Sequence, residues 1–338
     1  MQVKRQNIYL LLATALLSVS GCSSPEESGL ESVPIELRAS EAGEVETKAD
    51  ENGIDKEFAT RIFASKRDGD YTKLTTTVVD DEWYADTKVT TDGSIALTGN
   101  PTYPQYGDWL YLVAVAPQPT SYTADAGTVS YTLDGQTDIL YAKQIQGNRW
   151  DGSRFSKNTD HTVRPLEYTH QLTQLKFKAK KAADKGLTVK VKSITVKAVT
   201  SAMTLTLKDG NATFSGSTDL ALTLADDGKE IKSTTATDLG VLLLPPSTSD
   251  KAYKVTVDTS VGKFEDLSID FSSSSSSNGS DSSNGSNGSS GSGSASNDHF
   301  AKGHSYEVTL NISDKELEIL SVTVAPWSTE EKGNLDLN

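Results

Sequence analysis

The chain is predicted to be all-β and built from β-sandwiches, on three observations. The dipeptide Asp-Gly occurs at Asp68-Gly69, Asp92-Gly93, Asp134-Gly135, Asp151-Gly152, Asp209-Gly210 and Asp227-Gly228. It suits the type I′ turns of β-hairpins, which need positive φ at both central residues. The runs between these turns alternate apolar and polar residues with a period of two, as strands with one buried face do. Beyond the N-terminal leader, no stretch of ten or more residues carries the 3.6-residue period of a helix. Sandwiches are favoured over one closed barrel.

The leader comes first. Lys4 and Arg5 precede an apolar run, Ile8 to Leu17, and the small residues Ser18, Ser20 and Gly21 follow. This is the layout of a secretory signal peptide over residues 1–21. Its apolar run is far shorter than the roughly 20 residues needed to span a bilayer. Val19-Ser20-Gly21-Cys22 resembles a bacterial lipobox, in which the chain is cut before the cysteine and the thiol takes a lipid; the competing reading is an ordinary signal peptide with a chance cysteine. Cys22 is the only cysteine among 338 residues, so a chain lipidated there has no disulfide and must be held by its core. Residues 22–32, with Glu26, Glu27 and Glu31, form an acidic tether that resembles the surface-export signal of Bacteroidota lipoproteins.

Loss of residues 1–21 removes two basic residues and no acidic one, taking the net charge from −14 to −16. Such a surface repels nucleic acid and anionic headgroups. The roughly 300 residues that remain suggest two domains, placed at 33–164 and 165–338.

Val33-Pro-Ile-Glu-Leu37 is a plausible first strand, and Phe58 to Ala64 reads as another. Trp109–Val115 and Val241–Leu244 are apolar on both faces and should be central strands, ended by Pro117 and by Pro245-Pro246. Leu175, Phe177 and Ala179 alternate with lysines. In Leu187–Val199 the phase slips, which predicts a β-bulge near Lys192-Ser193. Thr204–Leu207 and Ala212–Phe214 flank Asp209-Gly210 as a hairpin. Tyr253–Val257, Ser305–Ile312 and Glu316–Val324 complete the series. Of residues 272–297, 24 of 26 are Ser, Gly or Asn; with nothing to bury, the tract should be a disordered loop inside the second domain, spanning roughly 25–30 Å.

No catalytic constellation emerges. The histidines are His161, His170, His299 and His304, and no zinc, nucleophile-elbow or phosphate-loop motif accompanies them. His170, placed at the start of a strand, reads as structural. Asp80-Asp81-Glu82 and Asp68-Gly-Asp70 lack the ligand spacing of a calcium loop and read as solvated turns. Of the tryptophans, Trp83, Trp109, Trp150 and Trp327, Trp109 belongs to a run expected in the core. The residues therefore point away from an enzyme, with no cofactor and no metal site.

Several phrases fall in order: Trp109–Pro117, Asp138–Lys143, Pro165-Leu-Glu-Tyr-Thr-His-Gln-Leu-Thr-Gln-Leu-Lys-Phe177, Leu242–Pro246, Gly303–Val308 and Val322-Thr-Val-Ala-Pro-Trp327. With the lipobox, they resemble the fimbrillin family of Bacteroidota, the lipoprotein subunits of type V pili. The resemblance implies two transthyretin-like Greek-key β-sandwich domains in tandem. It also implies outer-membrane anchoring through the lipid on Cys22, with exposure at the cell surface. A trypsin-like protease would then remove the lipidated segment with its first strand, and a strand from another fimbrial subunit would fill the groove. Family members often carry Thr-Arg at the cleavage site; here Thr47 is followed by Lys48, so Lys48 is the favoured site and Arg61, inside an expected strand, the second.

After Trp327 the chain is polar until Leu335 and Leu337, short for a donor strand, and Glu316–Val324 is needed in its own domain. A tip or accessory subunit, with a host or bacterial surface ligand, therefore fits at least as well as a stalk subunit. The alternative is a surface lipoprotein that never polymerises and binds glycans through exposed aromatics, for which Trp83 and Trp150 are the candidates.

Overall fold

The structure is a computed structural model, and it describes residues 31–41, 54–76, 82–156, 164–181, 188–225, 227–231, 235–247, 253–270, 299–313, 316–325 and 327. Contacts divide the chain into Met1–Ser32 and Val33–Asn338, and every described strand lies in the second unit. In chain order the strands are β1 (Leu37–Glu41), β2 (Phe58–Ser65), β3 (Trp83–Val89), β4 (Ser94–Ile95), β5 (Leu110–Ala116), β6 (Ser121–Thr123), β7 (Thr128–Thr132), β8 (Leu140–Gly147), β9 (Leu166–His170) and β10 (Thr173–Lys181). They continue with β11 (Val189–Val199), β12 (Ala202–Thr206), β13 (Ala212–Ser215), β14 (Thr218–Thr223), β15 (Lys229–Ile231), β16 (Thr237–Leu244), β17 (Tyr253–Thr259), β18 (Lys263–Ile269), β19 (Ser305–Ile312) and β20 (Leu317–Ala325). The described residues contain no helix, so the all-β reading holds.

The strands form three bodies around three cores. The first is a path β1-β4-β3-β2-β5-β8-β9 that closes on itself, which corrects the expectation of a sandwich rather than a closed barrel for this part of the chain. Closure follows because β1 is paired on both sides, antiparallel to β4 and parallel to β9. The second body packs the sheet β16-β10-β19-β20 against β14-β11-β17-β18, with β15 on β11, around Phe177, Ile194, Val255, Val308 and their neighbours. The third, β13-β12-β7-β6, takes two strands from each half of the chain and covers a core that includes Phe63, Val129, Met203 and Leu243. Sheet membership passes from the first body to the second after His170, five residues beyond Pro165.

This layout explains the two runs that are apolar on both faces. In β5, Leu110, Leu112, Ala114 and Ala116 enter the first core while Val113 and Val115 enter the third. In β16, Leu242 and Leu244 enter the second core while Leu243 enters the third. Over Leu110–Ala116 and Leu242–Leu244 each strand is a wall between two cores, which accounts for apolar residues on both faces. Trp109 is a correction: β5 starts one residue later, and the indole is 37% exposed rather than buried.

Local features follow the residue chemistry. The β11–β17 register shifts between Val191 and Ser193, the slip expected from the phase change. All six Asp-Gly glycines have positive φ, but their aspartates do not, so the turns are not type I′ as expected. Asp92-Gly93 and Asp209-Gly210 sit in short turns between strands that pair with each other, β3 with β4 and β12 with β13, and Asp68-Gly69 and Asp151-Gly152 lie in longer connections between paired strands, β2 with β3 and β8 with β9. Asp227-Gly228 joins β14 to β15, both of which pair with β11, and Asp134-Gly135 alone leads from one sheet to another, from β7 to β8. The first strand also moves: β1 occupies Leu37–Glu41, while Val33–Ile35 runs ahead of it through an isolated bridge from Pro34 to Thr102. The tract 272–297 lies outside the described residues; the strands on either side, β18 and β19, stand in the two sheets of the second body.

Candidate functional site: the seat of the first strand

The alternation of β1 sets its geometry. Ile35, Leu37 and Ala39 face inward and are buried in the first core, together with Phe58, Tyr103, Leu166 and Tyr168. Glu36 and Arg38 face solvent, where the Arg38 guanidinium donates to Ser94 Oγ at 2.8 Å. Three backbone bonds hold the segment on the β4 side. Ile35 N donates to Pro101 O at 2.9 Å, Ala39 N to Gly93 O at 2.8 Å, and Tyr103 N to Val33 O at 2.9 Å. On the other side Ala39, Ser40 and Glu41 run parallel to Leu166, Glu167 and Tyr168. Beneath β1, Thr60 Oγ1 donates to Val115 O at 2.8 Å and lies 2.7 Å from Tyr168 Oη. A hydroxyl has one proton to give, so Tyr168 is the donor to Thr60.

Glu41 continues the inward face of β1, and there it meets His170. Glu41 Oε1 lies 3.2 Å from His170 Nε2, and Asp138 Oδ2 lies 2.6 Å from His170 Nδ1. The side chains of His170, Asp138 and Glu41 are 6%, 9% and 13% exposed. The Trp327 indole stacks on the imidazole with centroids 3.8 Å apart. Only a protonated imidazole can donate from both nitrogens; a neutral one would turn a lone pair toward a carboxylate. Burial is the largest influence on the His170 pKa and pushes it down. The charge and hydrogen bond of Asp138, and those of Glu41, outweigh burial and raise the pKa to about 9. The seat of β1 therefore ends at a buried, doubly countered imidazolium.

His170 closes β9 rather than opening a strand. Glu41 and Asp138 were not singled out in the sequence. No spacing could reveal them, because residues 41, 138 and 170 meet only through the pairing of β1 and β8 with β9. Arg61 lies in the middle of β2, which pairs with β3 and β5 on either side. Its guanidinium makes a two-pronged contact to Asp86, at 2.5 and 2.8 Å, and lies over the Tyr84 ring. Cys22, Lys48, Asp80 and Asp81 lie outside the described residues. Asp70 accepts from the Thr72 amide and hydroxyl, as a turn residue does.

The aromatics separate. Trp83 is fully buried in the first core and cannot stack on a saccharide, which corrects its candidacy as a glycan platform. Trp150 is 53% exposed and Tyr106 81%. Trp150 lies against Gly107, where a Cβ would come within 2.2 Å of the indole nitrogen, and the Arg149 guanidinium sits 5.5 Å from its ring centroid.

The site these residues define is a first strand seated in a closed β-barrel and pinned at its end by a buried His170–Asp138–Glu41 ion cluster. The fimbrillin-like family model matches residues 47–327, and the chain belongs to that family. Its members are adhesion and structural proteins, not enzymes, so this chain is a pilus or cell-adhesion subunit of the cell surface. Among solved structures it is similar to a proposed cell adhesion protein from Bacteroides uniformis, at 19% identity and a TM-score of 0.53, covering 88% of this chain and 99% of the other. It is also similar to a proposed cell adhesion protein from Bacteroides ovatus, at 16% identity and a TM-score of 0.53, covering 89% and 100%. At such identities the likeness concerns the fold. No curated protein matches in sequence.

Proposed function

We propose that this chain is a subunit of a type V pilus, exported to the outer membrane as a lipoprotein on Cys22 and assembled by strand exchange after cleavage at Lys48. The observation that carries this reading is the position of β1. It is the only described strand before Lys48, and it alone closes the first barrel, between β4 and β9. A cut in 42–53 would sever β1 from the rest of the fold. Its loss would bare the inward seat of Ile35, Leu37 and Ala39 and the unpaired edges of β4 and β9, a template for an incoming strand. Arg61 is a poor second site, since a protease needs an extended, unpaired segment and β2 is paired along both edges. In this reading the second body is a transthyretin-like Greek-key sandwich, and the first is its tandem counterpart with the sheet edges joined through β1. β20 is committed to β19 along its whole length, which favours a tip or accessory role over a stalk subunit that donates that strand.

The test is the intact mass of the protein from washed cells and from sheared material. A lipid-free chain beginning at Ala49 in the sheared fraction is the expected result. A lipidated chain beginning at Cys22 in every fraction would overturn cleavage and leave an anchored, unpolymerised lipoprotein. The exposed Tyr106 and Trp150 keep a second reading in play, a surface lipoprotein that binds glycans. Loss of saccharide binding in Trp150→Ala is its test.

A further inference from the structure

The inward face of β1 reads apolar, apolar, apolar, acidic at Ile35, Leu37, Ala39 and Glu41, each two residues apart. The first three positions could be filled by many strands. The fourth is different in kind. It faces His170 Nε2, whose other nitrogen is already taken by Asp138 and whose ring face is covered by Trp327. A strand with an apolar side chain there would leave an unanswered N–H, and one with an amide would answer the N–H but leave the buried imidazolium a single countercharge. Losing one partner of a buried charged pair is costly in binding.

We infer that this seat selects its occupant: an incoming strand, running parallel to β9, must carry a carboxylate six residues after its first buried apolar side chain, where it takes the place of Glu41 on His170. The inference rests on the strand-exchange reading and names the partner's chemistry. Three alternating apolar residues, the last of them small, are followed two positions on by Asp or Glu. Six residues of extended strand set the two ends of this pattern about 20 Å apart. The apolar positions supply affinity, and the carboxylate discriminates among strands that satisfy those positions equally.

The experiment uses the full chain, cut by limited digestion at Lys48, and three labelled peptides spanning residues 31–47. One is unaltered, one carries Glu36→Gln and one Glu41→Gln. Glu36 lies on the outward face, so its variant loses the same charge without touching His170. The expected result is equal uptake of the unaltered and Glu36→Gln peptides, and at least tenfold weaker uptake of Glu41→Gln, the scale of a buried charge losing one of its partners. Equal uptake of all three overturns the selection and leaves strand exchange standing. Equal weakening of both variants also overturns it, because net charge rather than the seat would then be read. No uptake by a cut chain that has released its own segment overturns strand exchange, and the selection with it.

A second measurement needs no cleavage. In the uncut chain, Glu41→Gln should speed hydrogen exchange at the Ala39–Glu41 amides at least tenfold, and Glu36→Gln should not. Unchanged exchange in Glu41→Gln overturns the inference.

Discussion

Trp327 lies face to face on His170, the ring centroids 3.8 Å apart and the planes 22° from parallel. The indole also packs on the third core. It comes from the segment after β20, and it covers the residue that ends β9. It thereby ties the second body to the seat of the first strand. An aromatic face over an imidazolium adds a cation–π attraction to ordinary packing. Trp327→Ala should cost about 2–3 kcal/mol, combining that attraction with lost burial, and Trp327→Leu should recover part of it. Urea denaturation of the three chains measures the difference.

The His170 cluster makes stability depend on pH. Its pKa is raised from 6.5 to about 9, so the folded state holds the proton more tightly than the unfolded state. The stabilisation is fully present below pH 6.5 and is lost as pH rises through 9. At the usual conversion the loss is on the order of 3 kcal/mol. Midpoints of urea unfolding should fall between pH 6.5 and 9, and His170→Gln should flatten that fall. A midpoint that rises over the same range would contradict the assignment.

Trp83 and Trp150 should part sharply. Trp83→Ala removes a fully buried indole and should cost about 3–5 kcal/mol. Trp150→Ala should cost less than about 1 kcal/mol, because the ring is half exposed and lies against Arg149 and Gly107 at the surface. In the intact chain, acrylamide should quench the fluorescence of Trp150 and Trp109 while sparing Trp83.

Gly210 has no tolerance for a side chain. Its φ is +68°, and a Cβ would come within 2.5 Å of the Tyr141 ring, which is itself fixed by its hydroxyl donating to Leu207 O at 2.9 Å. Gly210→Ala should cost about 2–4 kcal/mol, from left-handed strain plus overpacking. Gly99→Ala, also at positive φ but with open space around it, should show the strain alone, about 1–2 kcal/mol. Thermal melts of the two variants separate the contributions.

Whatever depends on near neighbours was legible in the chain. The alternation of Leu175, Phe177 and Ala179 is the buried face of β10, and the slip at Lys192-Ser193 is the bulge in β11. The double-sided runs at 110–116 and 241–244 are walls between cores. Side-chain period acts over a few residues, so a linear reading captures it, and the Asp-Gly pairs mark turns although not their type. The ordered phrases from Trp109 to Trp327 likewise pointed to the family.

Pairing is another matter. The closure of the first barrel, the sharing of β6, β7, β12 and β13 in one sheet, and the burial of Trp83 depend on which strand lies beside which. The meeting of Glu41, Asp138 and His170 depends on register as well, since a slip of one residue would turn Glu41 outward to solvent. The sequence contains these contacts only as a competition among many pairings of similar strands. The folded chain resolves that competition by burying all three cores at once.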